Sequence, residues 1–150
     1  MEELVKQLEE YEYLVSIPGI GKNTLIDLIA ETGPLKQYKH PRQLLKLAGL
    51  TLRENSSGDH KGKKEISKRG RKRLRSLLYR AVLPLLRNNS VFQELYQYYI
   101  NRPVNPLKKK EAMVVLCGKL LKIFFGLSKH QVPFSEGRMK KDLPCLKQAA

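Results

Sequence analysis

The chain has 150 residues, 41% of them hydrophobic and 29% charged, and its 29 Lys/Arg against 14 Asp/Glu leave a formal net charge of +15. One ordinary domain fits that length and two do not, and the hydrophobic share excludes wholesale disorder. Two cysteines, Cys117 and Cys145, are too few for a disulfide framework. No apolar stretch reaches the roughly 18 residues a membrane span needs, and the start, MEELVKQLEE, lacks the regions of a signal peptide, so a cytoplasmic protein with no membrane partner is expected.

The charge is lopsided. Residues 1–33 hold seven acids and two bases, net −5, so the remainder carries net +20. In chain order, residues 2–15 place Leu4, Leu8, Tyr11 and Val15 at helical intervals, which predicts one helix of roughly four turns with its acids facing away. Ser16 to Lys22 reads SIPGIGK, and NTLIDLIAETG follows with Leu25, Leu28 and Ile29 on one face and Gly33 as a stop. Helix, Pro-Gly-Ile-Gly, helix resembles the helix-hairpin-helix of many DNA-binding proteins. Gly19 and Gly21 would let backbone approach a phosphate, free amides at the next helix would receive it, and Lys22 would add a charge. A plain tight turn, with Ile17 and Ile20 as core plugs, reads from the same residues.

Pro41 to Gly49 predicts a short helix opened by proline and closed by glycine, with Leu44, Leu47 and Ala48 inward. Leu50–Leu52 and Lys63–Ile66 flank a polar, glycine-containing loop and leave room for one small β-hairpin. A long helix is expected from about Ser67, with Leu74, Leu77, Leu78, Ala81, Val82 and Leu85 inward and Pro84 kinking it or marking its last turns. Ser90 is the expected cap of the next helix, in which Phe92, Leu95 and Tyr99 look inward; Tyr96 and Tyr98 suit core or rim better than base stacking. PLKKKEAMVVLCGKLLKIFFGL is the most apolar element and is expected to be the buried central helix, and residues 128–150 lack periodicity and read as a flexible tail. The fold class expected is therefore all-α, one helical domain over 1–127, with the hairpin at 3–33 and a basic loop and helix at 53–87.

Residues 53–80 carry eleven Lys/Arg and three acids, net +8. That density repels itself unless a polyanion neutralises it, and displaced counterions make nucleic acid the natural partner. The residues expected to hold it are Gly19, Gly21 and Lys22 together with Arg53, Lys61, Lys63, Lys64, Lys68, Arg69, Arg71, Lys72 and Arg73. Three histidines and two distant cysteines offer no metal-ligand spacing, and no hydrolase triad can be assembled.

Taken together, IPGIG, PRQLLKLAGL at 41–50, Ser-Ser-Gly at 56–58 and ISKRGRKRLR at 66–75 resemble the C-terminal domain of the IS-one-ten type of insertion-sequence transposases, over roughly residues 12–127. The resemblance implies a serine nucleophile immediately before a glycine, here Ser57 before Gly58, forming a covalent phosphoserine link to DNA under the guidance of a structured RNA. It also implies a divalent metal held by four acids of a RuvC-like domain. This sequence starts just ahead of IPGIG, so independent catalysis is not expected of it, and a homo-oligomer is expected of the full-length protein. From the residues alone, Ser56-Ser57-Gly58 reads as a polar turn with no evident base; His60 is close but a lone loop histidine is usually solvated. A non-catalytic helix-hairpin-helix module that only binds nucleic acid is the rival, and the acidic first helix reads as a protein-docking segment in either case.

Overall fold

The computed structural model describes residues 2–53, 56–57, 60–61 and 65–142, with Glu2, Arg53, Ser56, Ser57, His60, Lys61 and Asp142 described by backbone only. Helices α1 (Glu2–Lys6), α2 (Glu9–Val15) and α3 (Lys22–Thr32) are followed by a 3-10 turn at Leu35–Gln37 and by α4 (Pro41–Ala48). Four two-residue strands follow, β1 (Leu52–Arg53), β2 (Ser56–Ser57), β3 (His60–Lys61) and β4 (Glu65–Ile66); then come α5 (Lys72–Asn88), α6 (Ser90–Asn101), α7 (Lys109–His130) and α8 (Glu136–Asp142). The class is all-α as expected, and the strands form one antiparallel arm. Leu52 pairs with Ile66 and Arg53 with Glu65 at its base, and Ser56 pairs with Lys61 and Ser57 with His60 further out.

The central position of α7 follows from its composition. Leu116, Leu120, Leu121 and Phe124 are fully or almost fully buried, and α2, α4, α5, α6 and the 3-10 turn all pack on it. Cys117 lies in that core, where burial pushes its thiol up to about 12. A carboxylate is buried there as well. Glu10 accepts hydrogen bonds from Leu35 N at 2.9 and 3.1 Å and from Ser128 Oγ at 2.9 Å, tying α2 to the 3-10 turn and to the end of α7.

That buried acid explains the first departure from expectation. Instead of one helix over 2–15, the chain breaks at Gln7–Leu8, with Leu8 extended at ψ 129°. The break turns Glu10, Tyr11 and Leu14 inward on α2 and Val5 on α1, and leaves Leu4 68% exposed. A second departure is at the end of α5. Its successor is capped by Asn89, not Ser90: Asn89 Oδ1 accepts from Val91 N at 3.1 Å while Nδ2 donates to Pro18 O at 3.0 Å, so one side chain serves both a helix start and the Pro-Gly turn. Pro84 lies inside α5, which runs on to Asn88. Beyond α7 the expected tail holds α8, clamped to α6 by Lys140 Nζ, 2.8 Å from Glu94 Oε1 and 2.8 Å from Glu136 Oε1.

The third departure concerns the root of the arm. Helix α5 begins at Lys72, about a turn later than the apolar rhythm predicts, because the non-helical residues 67–71 are bonded through their backbone to the end of α4. Ser67 N donates to Thr51 O at 2.8 Å, Lys68 N to Gly49 O at 3.0 Å and Arg71 N to Leu47 O at 2.8 Å. Here two backbones touch. A Cβ on Gly70 would lie 2.4 Å from Gly49 N and 2.5 Å from Leu47 O, and Gly49 itself is left-handed at φ 71°. Arg75 completes the clamp, its guanidinium donating to Ala48 O and Lys68 O, both at 3.2 Å, so a cation sits at the C-terminal end of α4.

Three outcomes follow. Glu10→Ala strands a buried amide and a buried hydroxyl and is expected to cost about 2–3 kcal/mol in urea unfolding, against about 1 kcal/mol for Ser128→Ala; equal small losses would show that the acid holds nothing. Gly70→Ala is expected to cost about 1–3 kcal/mol by overpacking, and hydrogen exchange should show lost protection at the Lys68 and Arg71 amides while Leu25 in α3 stays protected. Native Cys117 is expected to resist thiol reagents until the chain unfolds. Its folded pKa lies above the ordinary 9.0, so stability from burying the neutral thiol is complete below pH 9 and declines as pH rises towards 12.

Candidate nucleic-acid interface

The first part of the expected site is the Pro-Gly turn. Gly19 has φ 91°, and a Cβ there would meet Asn88 Cβ at 3.1 Å and Pro84 O at 3.4 Å, so its close approach is made to the end of α5. Gly21 is different: it is the exposed residue preceding α3, a Cβ would meet only Thr24 Oγ1 at 3.6 Å, and Lys22 and Asn23 beside it are exposed. The open end of α3 is therefore carried by Gly21 and Lys22, while Gly19 fixes where that end sits.

The second part is the root of the arm and the start of α5. Lys68, at φ 54°, and Arg69 are exposed just before the helix, and Lys72 and Arg73 are exposed in its first turn. Arg71 and Arg73 are partly neutralised from within: Arg71 Nη1 lies 3.5 Å from Glu31 Oε2 and donates to Glu31 O at 2.7 Å, and Arg73 Nε lies 3.3 Å from Glu31 Oε1. Glu31 is only 17% exposed whereas both arginines are more than half exposed, so the acid is shielded and the cations remain accessible. Lys63 and Lys64, and the side chains of Arg53, Ser57 and Lys61, lie outside the described residues.

These two parts are not adjacent. Gly19 packs at the last turn of α5 and Glu31 at its first, so α3 and α5 run antiparallel and the turn stands at the opposite end from the arm. Sixteen residue steps separate Lys72 from Asn88, about 24 Å along the helix. The strip between them went unassigned in the sequence reading. Ser76, Tyr79, Arg80, Leu83 and Arg87 are exposed and, with Lys72, follow the three-four spacing of one outer face. Tyr79 is 37% and Leu83 47% exposed. The signal was present in the sequence, since residues that alternate with the buried set Leu74, Leu77, Leu78, Ala81 and Leu85 must share the outer face. Tyr96 and Tyr98 are half-buried, and Tyr98 stacks edge-on against Tyr99 with centroids 5.3 Å apart.

Among the described residues no group of three or more His, Cys, Asp or Glu side chains could hold a metal ion, so no metal site is assigned to them. No helix among them is long and apolar enough to cross a membrane. What the geometry offers is an arm with exposed cations at its root, a helix face that continues from that root, and a glycine-led helix start at the far end.

The transposase for insertion sequence element IS1111A of Coxiella burnetii (strain RSA 493 / Nine Mile phase I) is 30% identical over 134 residues, covering 89% of this chain and 37% of that protein. The pilin gene-inverting proteins of Moraxella bovis and Moraxella lacunata are each 32% identical over 126 residues, covering 82% of this chain and 38% of theirs. The chain thus spans less than two fifths of the length of these curated relatives. Residues 11–97, from within α2 through the arm and into α6, match the family described as Transposase IS116/IS110/IS902, and the chain belongs to that family.

Proposed function

We propose that this chain is the DNA-binding and strand-transfer part of a transposase or recombinase, in which the Ser57 hydroxyl attacks a DNA phosphate in concert with a RuvC-like metal-binding domain. The observation that carries the reading is the arm itself: Ser56–Ser57 pairs with His60–Lys61 in a hairpin whose root bears Lys68 and Arg69, in a chain of this family. A serine hydroxyl is a weak nucleophile and gains most from cations that stabilise charge on the phosphate in the transition state. Arg53, Lys61, Lys63, Lys64, Lys68 and Arg69 supply that charge density close in sequence.

The step is an ester exchange. A bond forms between Ser57 Oγ and phosphorus, the bond from phosphorus to one DNA end breaks, and the proton lost by the hydroxyl is balanced by one gained at the departing strand end. Attack by another strand's hydroxyl on the phosphoserine reverses it, so cutting and joining need no external energy source. The divalent metal belongs, on this reading, to the RuvC-like domain; this chain contributes the nucleophile and the surface that holds the backbone. A helix-hairpin-helix role for Gly21 and Lys22, a structured guide RNA as a second polyanion, and a homo-oligomeric whole enzyme complete the proposal.

Two measurements test it. In an enzyme reconstituted with its RuvC-like domain, Ser57→Ala is expected to abolish the covalent protein–DNA adduct on denaturing gels while leaving binding nearly intact. An adduct that survives Ser57→Ala but not Ser56→Ala moves the nucleophile by one residue, and no adduct in any form leaves the non-catalytic binding module. For residues 1–150 alone, affinity for duplex DNA and for structured RNA should fall steeply with salt, and Arg80→Ala with Arg87→Ala should lower the log–log slope by about two units. A flat salt response counts against both readings.

A further inference from the structure

Away from the basic strip, α6, the C-terminal half of α7 and α8 line a hollow of about 590 Å³. Its floor is apolar, with Leu95 from α6, Ile123 and Leu127 from α7 and Met139 from α8, and Lys119, Lys122 and Arg138 stand around it. None of these three cations has an ion pair to a described residue. Lys122 is held below the usual lysine range by burial first and then by Lys119 and Arg42, so this corner is short of negative charge.

Gly126 lies in the lining of the hollow and keeps it open. Glycine in a helix interior is destabilising relative to alanine, yet packing does not demand it here, since a Cβ on Gly126 would meet nothing within 4 Å. At Gly70 the opposite holds, because touching backbone forbids a side chain.

Size and chemistry select the occupant. The volume falls within the range of about 300–1,000 Å³ that small-molecule sites occupy. A docked helix is too large: a cylinder about 10 Å across rising about 1.5 Å per residue fills on the order of 120 Å³ per residue, so the hollow takes about five residues, little more than one turn. A turn that short does not hold as a helix, and an extended peptide would lay its N–H and C=O groups on an apolar floor that cannot pair them. A lone phosphate leaves that floor wet. An alkyl chain has no polar group to pair, and one anionic head answers the three cations.

We propose that this hollow binds a single-chain anionic amphiphile, a free fatty acid, with its chain on the floor beside Gly126 and its carboxylate among Lys119, Lys122 and Arg138. The site uses neither the arm nor the α5 strip, so it stands or falls separately from the nucleic-acid reading.

Isothermal titration of residues 1–150 with sodium dodecanoate below its micelle concentration tests it, with circular dichroism checking the fold of each variant. One dodecanoate per chain is expected to bind. Octanoate is expected to bind at least about tenfold more weakly because it buries four fewer methylenes, and dodecyltrimethylammonium, the same chain under a cationic head, is expected not to bind. Gly126→Trp fills the hollow, and Lys119→Glu with Arg138→Glu reverses its rim; each is expected to weaken dodecanoate at least about tenfold, and the rim variant keeps the test open if the tryptophan disturbs folding. Excess duplex DNA is expected to leave the affinity unchanged. A wild-type chain that does not bind dodecanoate overturns the proposal, as does uptake of many molecules per chain indifferent to a folded Gly126→Trp, which is the general attraction of an anionic detergent to a chain of net +15. Equal affinity for octanoate and dodecanoate removes the seat for the chain. Displacement by duplex DNA makes the hollow a nucleic-acid contact, and capture on phosphatidylglycerol vesicles without binding of free dodecanoate makes it a membrane contact; either result ends the proposal.

Discussion

Everything distinctive about this domain depends on two glycine-bearing backbones crossing at contact distance. Gly70 lies so close to Gly49 N and Leu47 O that no side chain fits between them, and three backbone hydrogen bonds, from Ser67, Lys68 and Arg71, cross the same few residues. Strands of two residues have too few hydrogen bonds to stand alone. The arm is therefore only as well placed as its root, and that root is built on the end of α4, itself packed on the central helix α7. Arg75 shows how the site's charge is divided. It lies in the most basic stretch of the chain, but its guanidinium is taken by two backbone carbonyls and serves position, not a ligand.

The antiparallel pair α3–α5 sets the scale of the surface. Had the Pro-Gly turn and the arm been neighbours, they would form one compact phosphate pocket; at opposite ends of α5 they are two anchors with an exposed strip of Arg80, Leu83 and Arg87 between them. A polyanion touching both must run the length of the helix. That geometry favours an extended backbone over a single phosphate group, and it gives Gly19 a reason that does not involve a ligand, since its positive φ lets the turn pack on Asn88 and Pro84.

Much of this was legible in the sequence because strong local signals agreed with tertiary packing. Pro41 and Gly49 bracketed α4 as its apolar spacing required, Gly33 ended α3, and the density of large apolar residues from Val114 to Leu127 could only belong to a central helix. Failures arose where a distant partner overrode the local pattern. Leu4 and Leu8 have perfect helical spacing with Tyr11 and Val15, but burying Glu10 against Leu35 and Ser128, the latter 118 residues away, required a break that no local signal announces. Ser90 is a good cap, yet Asn89 also reaches Pro18, its longer amide donating from one end and accepting at the other. The late start of α5 belongs to the same class, since Gly70 is committed to a contact with residue 49. For the site, charge density pointed to the arm, but the α5 strip was overlooked because its cations are spaced out by Ser76, Tyr79 and Leu83.

Charge counting also shows which residues are free for a partner. The acids of the first 33 residues look like a uniform negative patch, but Glu10 is buried, Glu9 lies 2.6 Å from Lys36 Nζ, and Glu31 serves Arg71 and Arg73. Those internal pairs are mostly exposed and each is worth little to stability; their effect is to select. On the proposed reading, Arg71 and Arg73 would have to exchange Glu31 for a phosphate and so would gain less from it than Lys72, Arg80 and Arg87, which have no acid to give up among the described residues. The same bookkeeping leaves Glu3 exposed next to Leu4 at one end of the molecule and, at another, Lys119, Lys122 and Arg138 with no ion pair among the described residues. Among the described residues, two separate cationic surfaces thus differ in character, one carrying Ser76, Tyr79 and Leu83 and drawn out along a helix, the other set around an apolar hollow, and a single kind of ligand does not suit both.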